Sequence, residues 1–216
     1  MDNIEVSEVI RLSNKKTDKV CSLIKKGKFS NEMEEDIEFI FKCAFDKRKA
    51  VWEHCIDNLY KLAVISNVVC ERMIKIMENG NIHEKFIITC SALAVKDRKF
   101  LKEILYRAIR DKSKKVKTFG AQRADDNNLY EFADIIKEEM EKTTDKKIKE
   151  QLERHYIFLT KGYIIDETYP ESKRVYITWH YGYPLPKKSL TKDEIHEYII
   201  TEFKNNDRIK DLYYKK

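Results

Sequence analysis

A chain of 216 residues is long enough for one sizeable core, or for a repeat domain with a modest appendage. Three prolines and five glycines against 42% hydrophobic and 37% charged residues argue against a loop-rich or β-sandwich fold and for long helices with charged surfaces. The 43 Lys and Arg against 37 Asp and Glu give a net +6 spread over a densely charged surface, too even a balance to prove nucleic-acid binding.

No window approaches the length of a membrane span, and no apolar leader precedes the five cysteines. Cys21, Cys43, Cys55, Cys70 and Cys90 each sit in an apolar helical stretch, and none forms a C-x-x-C pair. The expectation is reduced core thiols in a cytoplasmic protein that meets no membrane.

In chain order, apolar spacing predicts two short helices, Ile4 to Leu12 and Val20 to Ile24, broken at Ser13-Asn14. Ser30 then stands as a capping residue before the acidic Glu34-Glu35-Asp36, opening a helix to about Ala44. From Lys47 to Leu62, residues Val51, Trp52, Cys55, Ile56, Leu59 and Tyr60 form one buried stripe. Further helices are predicted over Ser66 to Asn79, Ile82 to Ala94, Arg98 to Asp111, Lys114 to Ala124, Asn128 to Lys142 and Lys146 to Tyr163, joined by short turns.

After Gly162 the pattern changes. Tyr163-Ile164-Ile165 and Arg174 to Tyr181 alternate β-branched and aromatic residues and predict a β-hairpin closed by Pro184 and Pro186. Thr191-Lys192-Asp193-Glu194 opens a last helix with Ile195, Tyr198, Ile199 and Phe203 on one face, and the tail from Asp207 either extends it or frays. The expected division is a helical domain over residues 1–163 and a hairpin plus terminal helix over 164–216, capping the same domain.

The helix-turn-helix unit around Leu105 to Asp111, Lys114 to Lys117 and Phe119-Gly120-Ala121 repeats a grammar seen about thirty residues upstream, from Met73 to Ala94. The stretch Arg107 to Ala124 resembles a HEAT-type repeat junction, with Asp111 ending one helix and Lys117 after the first apolar residue of the next. The resemblance covers roughly Lys47 to Tyr163 with degenerate repeats. It implies a mainly α, α-solenoid-like stack of antiparallel helix pairs whose second helices form a binding face.

The five histidines are scattered singly, and His54 beside Cys55 does not share its face, so no metal site is expected. Without a glycine-rich phosphate loop, a G-x-S-x-G elbow or a nucleophile with an adjacent base, no cofactor and no catalytic residue is assigned. The expected protein is not an enzyme.

If Val69, Met73, Ile76 and Met77 face the core, Arg72 and Lys75 point away; by the same phase Lys102, Tyr106 and Arg110 project outward. Exposed Tyr among cations is the composition of a protein-binding hot spot, with an acidic partner face as its complement. Tyr176, Trp179 and Tyr181 of the hairpin are added to this partner-binding set. The alternative is nucleic acid, its phosphates held by Arg107, Arg110, Lys114, Lys115 and Lys117. The leading expectation is therefore a non-catalytic protein-binding scaffold, in its narrower form an inhibitor or immunity-type protein.

Overall fold

The computed structural model describes residues 4–28, 30–168, 173–178, 182–186 and 191–215. The protein is mainly helical with a small antiparallel sheet near its C-terminus. The chain divides into two compact units, Met1–Arg123 and Ala124–Lys216.

The first unit holds α1 (Val6–Lys25), α2 (Asn31–Ala44), α3 (Lys49–Ala63), α4 (Asn67–Asn79), α5 (Ile82–Ser91) with a one-turn 3-10 segment Ala92–Ala94, and α6 (Arg98–Ile109). Helix α7 (Lys114–Asp126) begins here and places its last turn in the second unit. Side-chain caps fix where several of these helices start. Ser30 accepts from the Met33 amide at 3.3 Å, Ser66 from Val69 at 3.4 Å and Asp97 from Lys99 at 2.8 Å. Each such cap contributes about 1 kcal/mol by satisfying an amide that the helix leaves open.

The two short N-terminal helices expected from the sequence are one helix, α1, which runs through Ser13-Asn14. Both residues look like breakers in isolation, but here they meet a partner. The Asn58 side chain of α3 donates to Ser13 Oγ and to Asn14 Oδ1, each at 2.9 Å, and Thr17 donates back to the Ser13 carbonyl at 2.8 Å. Buried Ser13 is thus satisfied inside the core, exposed Asn14 at its edge, and the helix continues.

Helix α1 packs on α2 and α3, α3 on α5, and α4 on both α5 and α6. Their buried stripes are Ile37, Ile40 and Phe41; Val51, Cys55, Leu59 and Leu62; Val69, Met73 and Met77; and Leu101, Ile104, Leu105 and Ala108. An edge-to-face aromatic row links α3, α5 and α7, with ring centroids 6.3 Å apart for Trp52 and Phe86 and 4.9 Å for Phe86 and Phe119. Gly120 lets α7 approach α6 closely: a Cβ there would lie 2.8 Å from the Ala108 Cβ and 3.0 Å from the Ile109 amide nitrogen.

The second unit contains a 3-10 turn Tyr130–Phe132, the pair α8 (Ala133–Lys142) and α9 (Lys146–Lys161), strands β1 (Ile164–Asp166), β2 (Arg174–Tyr176) and β3 (Gly182–Pro184), and helices α10 (Lys192–Glu202) and α11 (Asp207–Tyr213). The strand order is β1-β2-β3, both pairs antiparallel, with Ile165 opposite Val175 and Val175 opposite Tyr183. The expected hairpin is therefore a three-stranded sheet. Pro184, read as closing it, lies at the end of the edge strand β3, where a missing amide donor is tolerated. Gly182 faces Tyr176, and a Cβ there would lie 2.7 Å from the tyrosine Cζ, so the bare glycine makes room for the ring.

Val175 and Ile177 are buried, Tyr176 between them is half-buried and Thr178 is exposed; Trp179, His180 and Tyr181 of the predicted hairpin lie outside the described residues. One side of the sheet contributes Val175 and Ile177 to a core with Tyr163, Leu185, Ile195, Ile199 and Ile209. The tail forms a separate helix rather than an extension, because Asn206 caps α11 by accepting from the Arg208 and Ile209 amides at 3.1 and 3.4 Å. Arg208 of α11 is buried with Asp125 and His155. Its Nη1 lies 2.6 Å from Asp125 Oδ1, and His155 Nδ1 donates to Asp125 Oδ2 at 3.1 Å.

Candidate protein-binding groove

The turn between α4 and α5 and the turn between α6 and α7 lie side by side in the first unit and enclose an open groove of about 1160 Å³. The local sequence builds each wall. Gly80 ends α4, where a Cβ would meet the Ile76 carbonyl oxygen at 2.7 Å, and Asn81 starts α5 with a capping box closed by Glu84. On the other wall the Asp111 carboxylate accepts from the Ser113 amide at 2.8 Å and from Lys85 Nζ of α5 at 3.2 Å, which ties α5 to the far turn.

Apolar surface lies between these walls. Ile82 and Tyr106, exposed by 61% and 43%, both line the groove, with Met77 buried behind them. The Arg110 guanidinium carbon stands 5.0 Å from the Tyr106 ring centroid, a cation-π arrangement that keeps the charge at the rim. Arg107 is bridged to Glu78 at 2.6 Å and to Glu103, and the hydrogen bond to Glu78 raises it further above its ordinary value. His83 also lines the groove and reaches the aromatic row, its ring centroid 6.2 Å from that of Trp52 and its Nε2 3.3 Å from the Asp46 carbonyl oxygen.

Of the residues singled out in the sequence, Tyr106, Arg107 and Arg110 come together in this groove. The others among the described residues do not line it. Arg72 is half-buried, ion-paired with Glu38, its guanidinium 4.5 Å from the Phe41 ring, in a smaller acidic depression shared with Glu34 and Glu35. Lys75, Lys102 and Lys114 are exposed, and Lys117 is half-buried. Lys115 stands 3.5 Å over the Phe86 ring. Tyr176 belongs to a separate groove in the second unit with Glu150, Glu153, Arg154 and Asp166, and Trp179 and Tyr181 lie outside the described residues.

Sequence reading missed Ile82 and Lys85 as groove residues, while Lys112 had stood out only as one of the cations clustered at the α6–α7 turn. Asn81-x-x-Glu84 signals a helix start, which would have set Ile82 at the first turn, off the buried stripe. Lys112 follows Asp111 in a turn whose partner wall no local pattern discloses.

Among the described residues no group of three or more His, Cys, Asp or Glu is placed to hold a metal ion, and no helix is long and apolar enough to cross a membrane. Cys43, Cys55, Cys70 and Cys90 are buried free thiols and Cys21 is half-buried. No protein-family model matches the chain, and no curated protein matches it.

Proposed function

We propose that this is a non-catalytic protein-binding module whose contact surface is the groove between the α4–α5 and α6–α7 turns. The observation that carries the reading is the pairing of exposed Tyr106 and Ile82 with a cationic rim at Arg110 and Lys112. Aromatic and arginine anchors beside apolar surface are what protein hot spots are made of. An acidic partner face is the complement.

The same proposal takes the first unit as stacked helix pairs of the HEAT-like kind, which build binding surfaces from successive turns. Three contacts support it. Alternate helices touch, α3 with α5 and α4 with α6; the aromatic row carries α3 through α5 to α7; and the turns after α2 and α6 each hold an aspartate, Asp46 and Asp111, that bonds the next helix start. An inhibitor that covers a partner's acidic surface is the narrower form of this reading.

The phosphate-binding alternative is weaker, because its cations do not form one track: Arg107 is shared by Glu78 and Glu103, and Lys115 sits on Phe86. The test is capture of partners on immobilised protein from native lysate with and without nuclease, comparing wild type with Tyr106→Ala/Arg110→Glu. The reading expects a discrete protein on the wild type and its loss on the variant. Nuclease-sensitive material alone, or equal capture by both, overturns it.

A further inference from the structure

We infer that the groove takes a short acidic peptide segment bearing one apolar or aromatic anchor side chain, an inference that rests on the protein-binding reading above. Size is the first argument. About 1160 Å³, open to solvent, exceeds the roughly 300–1,000 Å³ of a small-molecule site and suits a few residues of chain.

The second argument is the apolar floor. Ile82 and Tyr106 are the two large hydrophobic side chains exposed inside the groove, and an anchor laid between them removes both from water. A phosphodiester backbone offers nothing to cover Ile82.

The third is charge. Lys85, Arg107, Arg110 and Lys112 line the groove against the carboxylates of Glu78 and Asp111. Those two carboxylates already face Arg107 and Lys85, at 2.6 and 3.2 Å. The lining holds four Lys and Arg against two carboxylates, and the exposed cations among the four are those at the Arg110–Lys112 end. An Asp or Glu next to the anchor meets that end, while a basic residue is repelled there. Glu78, Glu103 and Asp111 interrupt the cations, so a discrete carboxylate beside an anchor fits better than a continuous polyanion.

The experiment is fluorescence anisotropy on the full chain with three labelled synthetic peptides: a glutamate-rich one with a single central leucine, the same with serine for leucine, and the leucine peptide with lysines for glutamates. The leucine–glutamate peptide is expected to bind at least about tenfold tighter than the serine version, which is what covering one leucine-sized side chain warrants, and the lysine version is expected not to bind. Ile82→Ser and Tyr106→Ala are expected to remove that tenfold advantage while leaving the unfolding midpoint near that of wild type, since both side chains are exposed and neither belongs to the buried core. Equal affinity for the leucine and serine peptides overturns the anchor. Displacement of the peptide by oligothymidylate at lower concentration overturns the peptide class. Absence of peptide binding, with a natural protein partner still lost on Arg110→Glu, overturns the segment while leaving the binding-module reading intact.

Discussion

Replacing Arg208 by Met tests how the second unit is held together. Arg208 reaches from α11 into the core, where Nη1 pairs with Asp125 Oδ1 at 2.6 Å, Nη2 donates to the Asp125 carbonyl at 2.8 Å and Nε donates to Asn128 Oδ1 at 3.0 Å. Asp125 is fully buried and Arg208 8% exposed, so water cannot replace the lost contacts. Methionine keeps the packing of the stem against Phe158, whose ring lies 5.2 Å from the guanidinium carbon, and removes only the charge and its donors. Breaking one side of a buried pair strands the other charge and costs about 3–5 kcal/mol. Urea unfolding followed by far-ultraviolet circular dichroism reads that loss from the midpoint and slope. The companion Asp125→Asn/Arg208→Met has no stranded charge and is expected to recover about 0.5–3 kcal/mol of it. A loss below about 1 kcal/mol for Arg208→Met, or a double variant less stable than the single, refutes the reasoning.

Gly120→Leu is expected to destabilise by about 1–3 kcal/mol, since the new Cβ would lie 3.0 Å from the Ile109 amide nitrogen, a backbone atom that cannot rotate away; calorimetry showing an unchanged melting temperature contradicts this. Burial pushes the Asp36 carboxyl up, but hydrogen bonds from Lys16 and Lys19 outweigh it and leave the group below its ordinary 3.8. A lowered folded value means the pairing stabilises above 3.8 and is lost as pH falls through the folded value. Lys16→Met/Lys19→Met therefore costs stability at neutral pH and nothing at the acid end, whereas a cost that ignores pH refutes the pairing. Burial pushes the Cys70 and Cys90 thiols up to about 11, so a disulfide reagent is expected to modify half-buried Cys21 first and the other thiols only on unfolding; rapid native labelling of several thiols counts against that core.

Local physics made most helices legible. Ser30 and Thr191 cap where their side chains announced it, and of the predicted stripe Val51, Cys55, Ile56 and Leu59 are buried with Trp52 and Tyr60 half-buried at its margins, because period fixes which face turns inward. Ser13-Asn14 failed as a break because the answer lay in Asn58, forty-five residues from Ser13. The third strand escaped notice because Gly182 and Pro184 carry little strand propensity, and only the ring of Tyr176 explains the glycine. The groove was half visible: helical phase exposed Tyr106 and Arg110, while the opposite wall from Gly80 to Lys85 depends on how two turns far apart in sequence are packed.

The most direct test of the groove as the contact surface places a photoreactive benzoylphenylalanine at position 106, with exposed Lys147 of α9 as the control position, and maps the adducts formed in the native cell by mass spectrometry. Crosslinking of one protein from position 106 alone, through a peptide rich in Asp or Glu, is the predicted result. Adducts with nucleic acid, or the same protein crosslinked equally from position 147, would contradict the account.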